Sequence, residues 1–226
     1  MKIGIFGTGD VGKTLSSALA QRGHEVMLGT RDVRRKMEEK PAGDDSVSFR
    51  DWLSNHKKVL LGTFAEAAAH GDLLMNATAG HASLEALAKA RPADLKAKIL
   101  IDISNALGPW QAGEMEMFVV NTDSLAERIQ RAHPSTLVVK ALNTVTAHVM
   151  VNPAGLAGGD HDLFVAGNDP EARDRVARFL RDEFGWRTVL DLGDLTAARG
   201  LEMMIMVWLK IWAALGTADF NYRIAR

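Results

Sequence analysis

Residues 7–14 read Gly7-Thr8-Gly9-Asp10-Val11-Gly12-Lys13-Thr14, directly after the apolar run Lys2-Ile3-Gly4-Ile5-Phe6. The stretch fits two phosphate-binding patterns at once. Gly7, Gly9 and Gly12 spell G-x-G-x-x-G, the dinucleotide fingerprint, while Gly7, Gly12, Lys13 and Thr14 spell the P-loop of nucleotide triphosphatases. Both place a glycine turn between a strand and a helix and aim backbone N–H groups and the positive helix end at phosphate. Context has to separate them. A strand-end acid in Lys98-Ile99-Leu100-Ile101-Asp102, of the kind that holds Mg²⁺, favours the P-loop. Asp10 opposes it, because an acid inside a loop wrapped round a triphosphate is electrostatically costly.

Apolar runs and helical patterns alternate through the rest of the chain. Strands are expected at 2–6, 25–28, 59–61, 73–76, 99–102, 137–141, 162–166 and 188–192. Helices are expected at 11–22, 64–70, 82–91, 124–131 and 170–183, with a long apolar helix at about 195–215. Pro170 suits a first helical turn, and Gly23 ends the first helix. Segment 32–56, with Pro-Ala-Gly-Asp-Asp-Ser at its centre, reads as a surface excursion with little regular structure, and 105–121 as a loop. Strands alternating with helices imply right-handed βαβ units and a mostly parallel sheet. The fold class expected is α/β: a doubly wound Rossmann sheet with two extra C-terminal strands and a C-terminal helical part. The division expected is 1–193 for the nucleotide-binding domain with its extended sheet, and 194–226 for a helical segment closing the cleft.

The end of the second strand decides which cofactor the turn suits. A carboxylate there binds the free 2′-hydroxyl of NAD. Here the strand ends Leu28-Gly29-Thr30-Arg31, with Arg34 and Arg35 close behind. A hydroxyl followed by guanidinium groups matches a 2′-phosphate through charge-assisted, bidentate contacts. The alternative is a solvated helix start, with Asp32 pairing with Arg35. The local chemistry favours NADP.

Bulk properties narrow the function further. The chain has 226 residues, 27 Lys plus Arg against 28 Asp plus Glu, and no cysteine. Near-zero net charge gives no footing for nucleic acid or an anionic membrane. Without cysteine there are no disulfides, thiolate nucleophiles or Cys-ligated metals. The apolar run near 203–215 is broken by Lys210 and too short to span a bilayer. The sequence begins in a strand, so no signal peptide is expected and the location expected is cytoplasmic.

Taken end to end, the chain resembles the coenzyme F420-dependent NADP oxidoreductases. The resemblance rests on the GTGDVG turn, GHEVMLGTR, KILIDISNAL, VVKALNT, DLFVAGNDPEA and LDLGDLTAARGLE, in that order over nearly the whole length. It implies a Rossmann domain whose C-terminal helices close over the cleft, and hydride transfer between NADPH and the deazaflavin F420. By position it implies that Thr8, Gly9, Asp10, Val11 and Gly12 sit on the pyrophosphate, and that Thr30, Arg31 and Arg35 hold the 2′-phosphate. It puts Asn76 and Ala77 beside the adenosine half and the pyrophosphate, Ser104 and Asn105 toward the nicotinamide, and Ala141 and Asn143 on the acceptor side. The chain departs from the pattern at Asn143, where some members carry an imidazole, and in the segments 41–56 and 105–121.

Hydride transfer between two rings needs stacking, orientation and exclusion of water rather than a side-chain acid or base. No H-E-x-x-H, paired-carboxylate or G-x-S-x-G signature is present. No catalytic side chain is named, and no metal is expected. His24 reads as structural, His81 as near the cleft, and His148 and His161 as unrelated despite flanking one loop. Leu201, Met204, Trp208, Trp212 and Leu215 form a stripe on the last helix, which reads as core or subunit contact. A homodimer is therefore expected. The function expected is NADPH-dependent hydride transfer to F420 or a flavin-like acceptor. The alternatives are reduction of a small imine or carbonyl compound, and a non-enzymatic NADPH sensor.

Overall fold

The computed structural model describes residues 1–41, 47–108 and 115–225. In chain order the first half comprises β1 (Lys2–Phe6), α1 (Asp10–Gln21), β2 (Glu25–Thr30), α2 (Val33–Glu38), α3 (Phe49–Asn55), β3 (Val59–Thr63), α4 (Phe64–His70), β4 (Leu73–Asn76), α5 (Gly80–Ala88), α6 (Pro92–Leu95) and β5 (Ile99–Asp102). The second half comprises α7 (Leu125–Ala132), β6 (Leu137–Ala141), α8 (Ala147–Val151), β7 (Asp162–Gly167), α9 (Pro170–Phe184), β8 (Thr188–Asp191) and α10 (Ala198–Leu215). The eight strands form one sheet in the order β3-β2-β1-β4-β5-β6-β7-β8, parallel except for the β6–β7 pair. The first six positions are the doubly wound dinucleotide order, and β7 and β8 are the two added strands.

Both faces of the sheet are covered, so the inner strands are apolar throughout rather than alternating. On one face Ile3, Ile5, Val26 and Leu28 pack with Leu15 and Leu19 of α1, and the cluster runs on to Val176, Leu180 and Trp186. On the other, Phe6, Leu74, Leu100 and Val138 pack against Phe64, Leu87, Leu125, Ile129 and Ala198. Parallel register aligns Phe6 with Asn76, Asn76 with Asp102, and Asp102 with Lys140. In-register neighbours share a sheet face. Three polar side chains therefore form a row at the carboxyl end of β4, β5 and β6, on the face covered by α7 and the start of α10.

One expectation about a segment fails. Segment 32–56 is not without regular structure, because α2 and α3 lie within it. Asp32 accepts the Arg35 N–H and Ser48 accepts the Asp51 N–H, each capping a short helix, and Phe49 is buried in the core. Residues 42–46 of this segment, and 109–114 of the 105–121 loop, lie outside the described residues. The last helix begins with a 3₁₀ turn at Leu195–Ala197 that buries Leu195, and α10 itself buries Ala198, Leu201 and Glu202. Beyond its first turn Met206, Val207, Trp212 and Leu215 are exposed. Helix α5 also starts and ends earlier than the expected 82–91. No helix among the described residues is long and apolar enough to cross a membrane.

Candidate active site

A cleft of about 280 Å³ opens at the carboxyl ends of β1, β4 and β5. This is where the strand order reverses direction, the usual ligand position in an open α/β sheet. Its lining includes Val11, Ala77, Thr78, His81, Ser104 and Asn105. Of the sequence-predicted residues, Val11, Ala77, Ser104 and Asn105 thus share one cleft. His81, read from the sequence as near the cleft, also lines it, whereas Thr78 was not singled out, since a three-residue loop after a short strand carries no motif. Gly80 is where this loop meets the opposite wall: a Cβ there would lie 1.8 Å from the Asn105 carbonyl oxygen.

The three fingerprint glycines differ in what surrounds them. Gly7 has φ +114°, and a Cβ on it would sit 2.4 Å from the Ala77 oxygen. A Cβ on Gly12 would sit 2.1 Å from the Gly7 oxygen. These two are required by the turn and by helix–strand packing. Gly9 is different: its φ is −76°, and a Cβ on it would meet nothing within 4 Å. The protein itself leaves that position open. Gly9 is also the N-cap of α1 and supplies no side-chain cap, and Ala79 likewise leaves α5 uncapped. Two helix N-termini with unpaired amides and positive dipole ends suit an anion. The open Gly9 position and these amides fit the pyrophosphate of a dinucleotide.

The P-loop reading fails here. Lys13 pairs with Asp10 at 2.9 Å across the first turn of α1, and the Asp10 side chain is 90% exposed. Asp102 is fully buried against Lys140 and has no surface to offer Mg²⁺. Thr30 is buried at the end of β2. Arg31 lies 3.7 Å from Glu85 with both side chains more than half exposed, a pairing too exposed to hold it in place. Arg35 is exposed, and Asp32 engages its backbone N–H rather than its guanidinium. No carboxylate stands at the tip of β2.

Behind the cleft lies a buried polar network. Lys140 Nζ contacts Asp102 Oδ2 at 2.8 Å and Glu202 Oε1 at 3.0 Å, with all three side chains at most 1% exposed. It also donates to the Ser104 carbonyl. Burial alone pulls the Lys140 ammonium toward neutrality, but attraction and hydrogen bonds from Asp102 and Glu202 outweigh it and hold its pKa above the ordinary lysine value. Glu202 in turn accepts the Leu125 and Ala126 N–H groups at the start of α7, at 2.8 and 3.0 Å. Asn76 is fully buried, donating to Asp102 Oδ1 at 2.8 Å, so its side chain supports the cleft from behind.

Asn143 is buried beside the same helix. Its Nδ2 donates to Asn105 Oδ1 at 2.9 Å and to the Leu201 carbonyl at 2.8 Å. Ala141, expected on the acceptor side, has its side chain wholly inside the core. Strand β6 alternates, and Ala141 falls on the face covered by α8 and α9. His148 pairs with Asp219, whereas His161 is buried against the Pro153 carbonyl and Asn221. Among the described residues no cluster of three or more His, Asp or Glu side chains is arranged to hold a metal.

Residues 2–106 match the family model described as NADP oxidoreductase, coenzyme F420-dependent. The F420-dependent NADP reductase of Methanothermobacter marburgensis is 30% identical over 93% of this chain and 92% of that protein. The chain belongs to the family of coenzyme F420-dependent NADP oxidoreductases. A solved structure described as a candidate F420-dependent NADP-reductase from Arthrobacter sp. FB24 superposes with a TM-score of 0.94, at 48% identity over the whole of both chains. The metalloreductase STEAP3 of Rattus norvegicus is 28% identical over 93% of this chain but only 38% of that protein. The chain thus spans about two fifths of the length of that metalloreductase and nearly all of the methanogen reductase. The family, by its description, is one of NADP oxidoreductases.

Proposed function

We propose that this oxidoreductase moves a hydride between NADPH and coenzyme F420 or a flavin-like acceptor. The observation that carries the reading is the open Gly9 position, bounded by uncapped helix amides and followed by a β2 tip that bears Arg31 and no carboxylate. In this reading the amides of Thr8 to Gly12 bind the pyrophosphate, and Asp10 turns outward to Lys13 so that its charge stays away. Thr30, Arg31 and Arg35 bind the 2′-phosphate, and the loose Arg31–Glu85 contact leaves the guanidinium available. Asn76 and Ala77 shape the wall beside the pyrophosphate, Ser104 and Asn105 that beside the nicotinamide. Asn143 braces Asn105 from the acceptor side, a structural task in place of the imidazole of other members.

Bound NADPH supplies the hydride, and the acceptor takes it together with one proton from water. The chain's own contribution is orientation and exclusion of water. The segment 194–226 serves this by anchoring the first turn of α10 to Asn143 and Lys140 at the edge of the cleft. The apolar side chains left exposed beyond that turn are covered, in this reading, by a second copy of the chain. An acceptor panel tests the proposal: NADPH oxidation is followed with F420, riboflavin, a cyclic imine and a small aldehyde as acceptors. Turnover with F420 or the flavin alone supports it. Turnover only with the imine or aldehyde replaces it with the alternative.

A further inference from the structure

The buried row Lys140–Asp102–Asn76 fixes where the protons of the cleft hydroxyls point. Each partner of the Asp102 carboxylate is a donor. Oδ2 accepts from Lys140, while Oδ1 accepts from Asn76 Nδ2 at 2.8 Å and from Ser104 Oγ at 2.7 Å. The carboxylate therefore takes the Ser104 proton and requires the Asn76 amide nitrogen to face it. That turns Asn76 Oδ1 the other way, where it accepts from Thr78 Oγ1 at 2.7 Å and from the Thr78 N–H at 3.3 Å. Ser83 Oγ accepts from Asn76 at 3.1 Å and lies 2.8 Å from Thr78 Oγ1, where Ser83 must be the donor because the Thr78 proton is already on Asn76 Oδ1. Both hydroxyls that line the cleft, Ser104 and Thr78, have thus committed their protons inward.

We infer that Asp102, paired with Lys140, makes Ser104 and Thr78 obligate hydrogen-bond acceptors, so that this wall of the cleft recognises a donor group on the ligand. Reversing Ser104 would leave a fully buried carboxylate short of a donor, which costs more than the turned hydroxyl gains. Asp102 and Lys140 act through Ser104 and are positioning residues. The inference rests on the NADP reading of the site. In that reading the donor is the N–H of the nicotinamide carboxamide or a hydroxyl of the adjoining ribose.

Three ligands separate the possibilities by equilibrium titration. They are NADP⁺, its 3-acetylpyridine analogue, which lacks the amide N–H, and adenosine 2′,5′-bisphosphate, which lacks the whole nicotinamide half. Ser104→Ala is expected to weaken NADP⁺ by about 3- to 10-fold, the range for one neutral hydrogen bond, and to leave the bisphosphate unchanged. If the acetylpyridine analogue is then unaffected, the donor is the carboxamide; if it weakens equally, the donor is the ribose. Asp102→Asn offers an amide that can donate to Ser104 and so frees its proton. It is expected to shrink or reverse whatever preference the wild type shows for NADP⁺ over the analogue if the donor is the carboxamide. A Ser104→Ala variant that binds NADP⁺ like the wild type, or loses the bisphosphate by the same factor, overturns the inference. A wild-type protein that does not bind the bisphosphate instead overturns the NADP reading beneath it. Should Asp102→Asn fail to fold, the Ser104→Ala comparison stands alone.

Discussion

Alanine at Gly9 and alanine at Gly12 should do opposite things. A Cβ on Gly12 would lie 2.1 Å from the Gly7 carbonyl oxygen, a backbone atom that cannot rotate aside. Helix α1 would have to lift from β1, and overpacking of this kind costs about 1–3 kcal/mol. For a chain of this size each kcal/mol moves Tm by about 2–4 °C, so Gly12→Ala should unfold several degrees earlier. A Cβ on Gly9 meets nothing, and its φ of −76° suits any residue. The only cost to the fold is the poorer N-cap, about 1 kcal/mol or less. The same methyl would occupy the space into which the pyrophosphate must come. Losing one charge-assisted hydrogen bond there, worth about 1.5–3 kcal/mol, weakens NADP⁺ about 10- to 150-fold. Thermal unfolding and a tryptophan-fluorescence titration on both variants read the two effects. A Gly9→Ala protein that binds NADP⁺ normally, or one as unstable as Gly12→Ala, would refute the reasoning, because the open position would then not be where the ligand lies.

Other expectations follow from the same geometry. Arg31→Ala should weaken NADPH by about 1.5–3 kcal/mol and leave NADH binding nearly unchanged; equal weakening of both would displace the 2′-phosphate site. Glu127 chelates Arg199 at 2.6 and 2.9 Å, joining α7 to α10. The Arg199 guanidinium, then the Ser124 hydroxyl, hold the Glu127 carboxyl below the ordinary glutamate value against the opposing effect of burial. A depressed folded-state pKa stabilises above the unfolded value of about 4.3 and loses that effect as pH falls through the folded value. The Tm difference between wild type and Glu127→Gln should therefore be full at neutral pH and vanish in acid below that point; a constant difference would contradict the assignment. Val207→Glu with Trp212→Glu should turn a dimer into a monomer by light scattering while cofactor binding persists; a wild type that is already monomeric would sink the dimer.

Much of the fold was legible because buried parallel strands are short apolar runs, and Ile3, Leu74, Leu100 and Val138 sit in such runs. The helices α2 and α3 were not, since six or seven residues give no amphipathic period. Their capping signals were nonetheless present, in Asp32 three residues before Arg35 and in Ser48 three before Asp51. The glycine turn and the arginines after β2 were readable as local chemistry. The buried network was not, because it is created by register across β4, β5 and β6 and by a helix about sixty residues downstream of β6. Its trace in the sequence is a lone charge in each of two apolar segments, Lys140 in Val138-Val139-Lys140-Ala141 and Glu202 before Met203-Met204-Ile205. Asp102, read alone as a metal-holding strand end, is the third member. Ala141 was assigned to the acceptor side from its place in a motif, whereas strand alternation points its side chain into the core.

The most direct test mixes the purified protein with NADPH and F420 and follows the deazaflavin absorbance. Loss of the oxidised F420 band, in step with NADPH consumption and much slower with NADH, is the predicted result. A protein that binds NADPH yet leaves F420 and flavins oxidised would contradict the proposed function, while leaving the dinucleotide site intact.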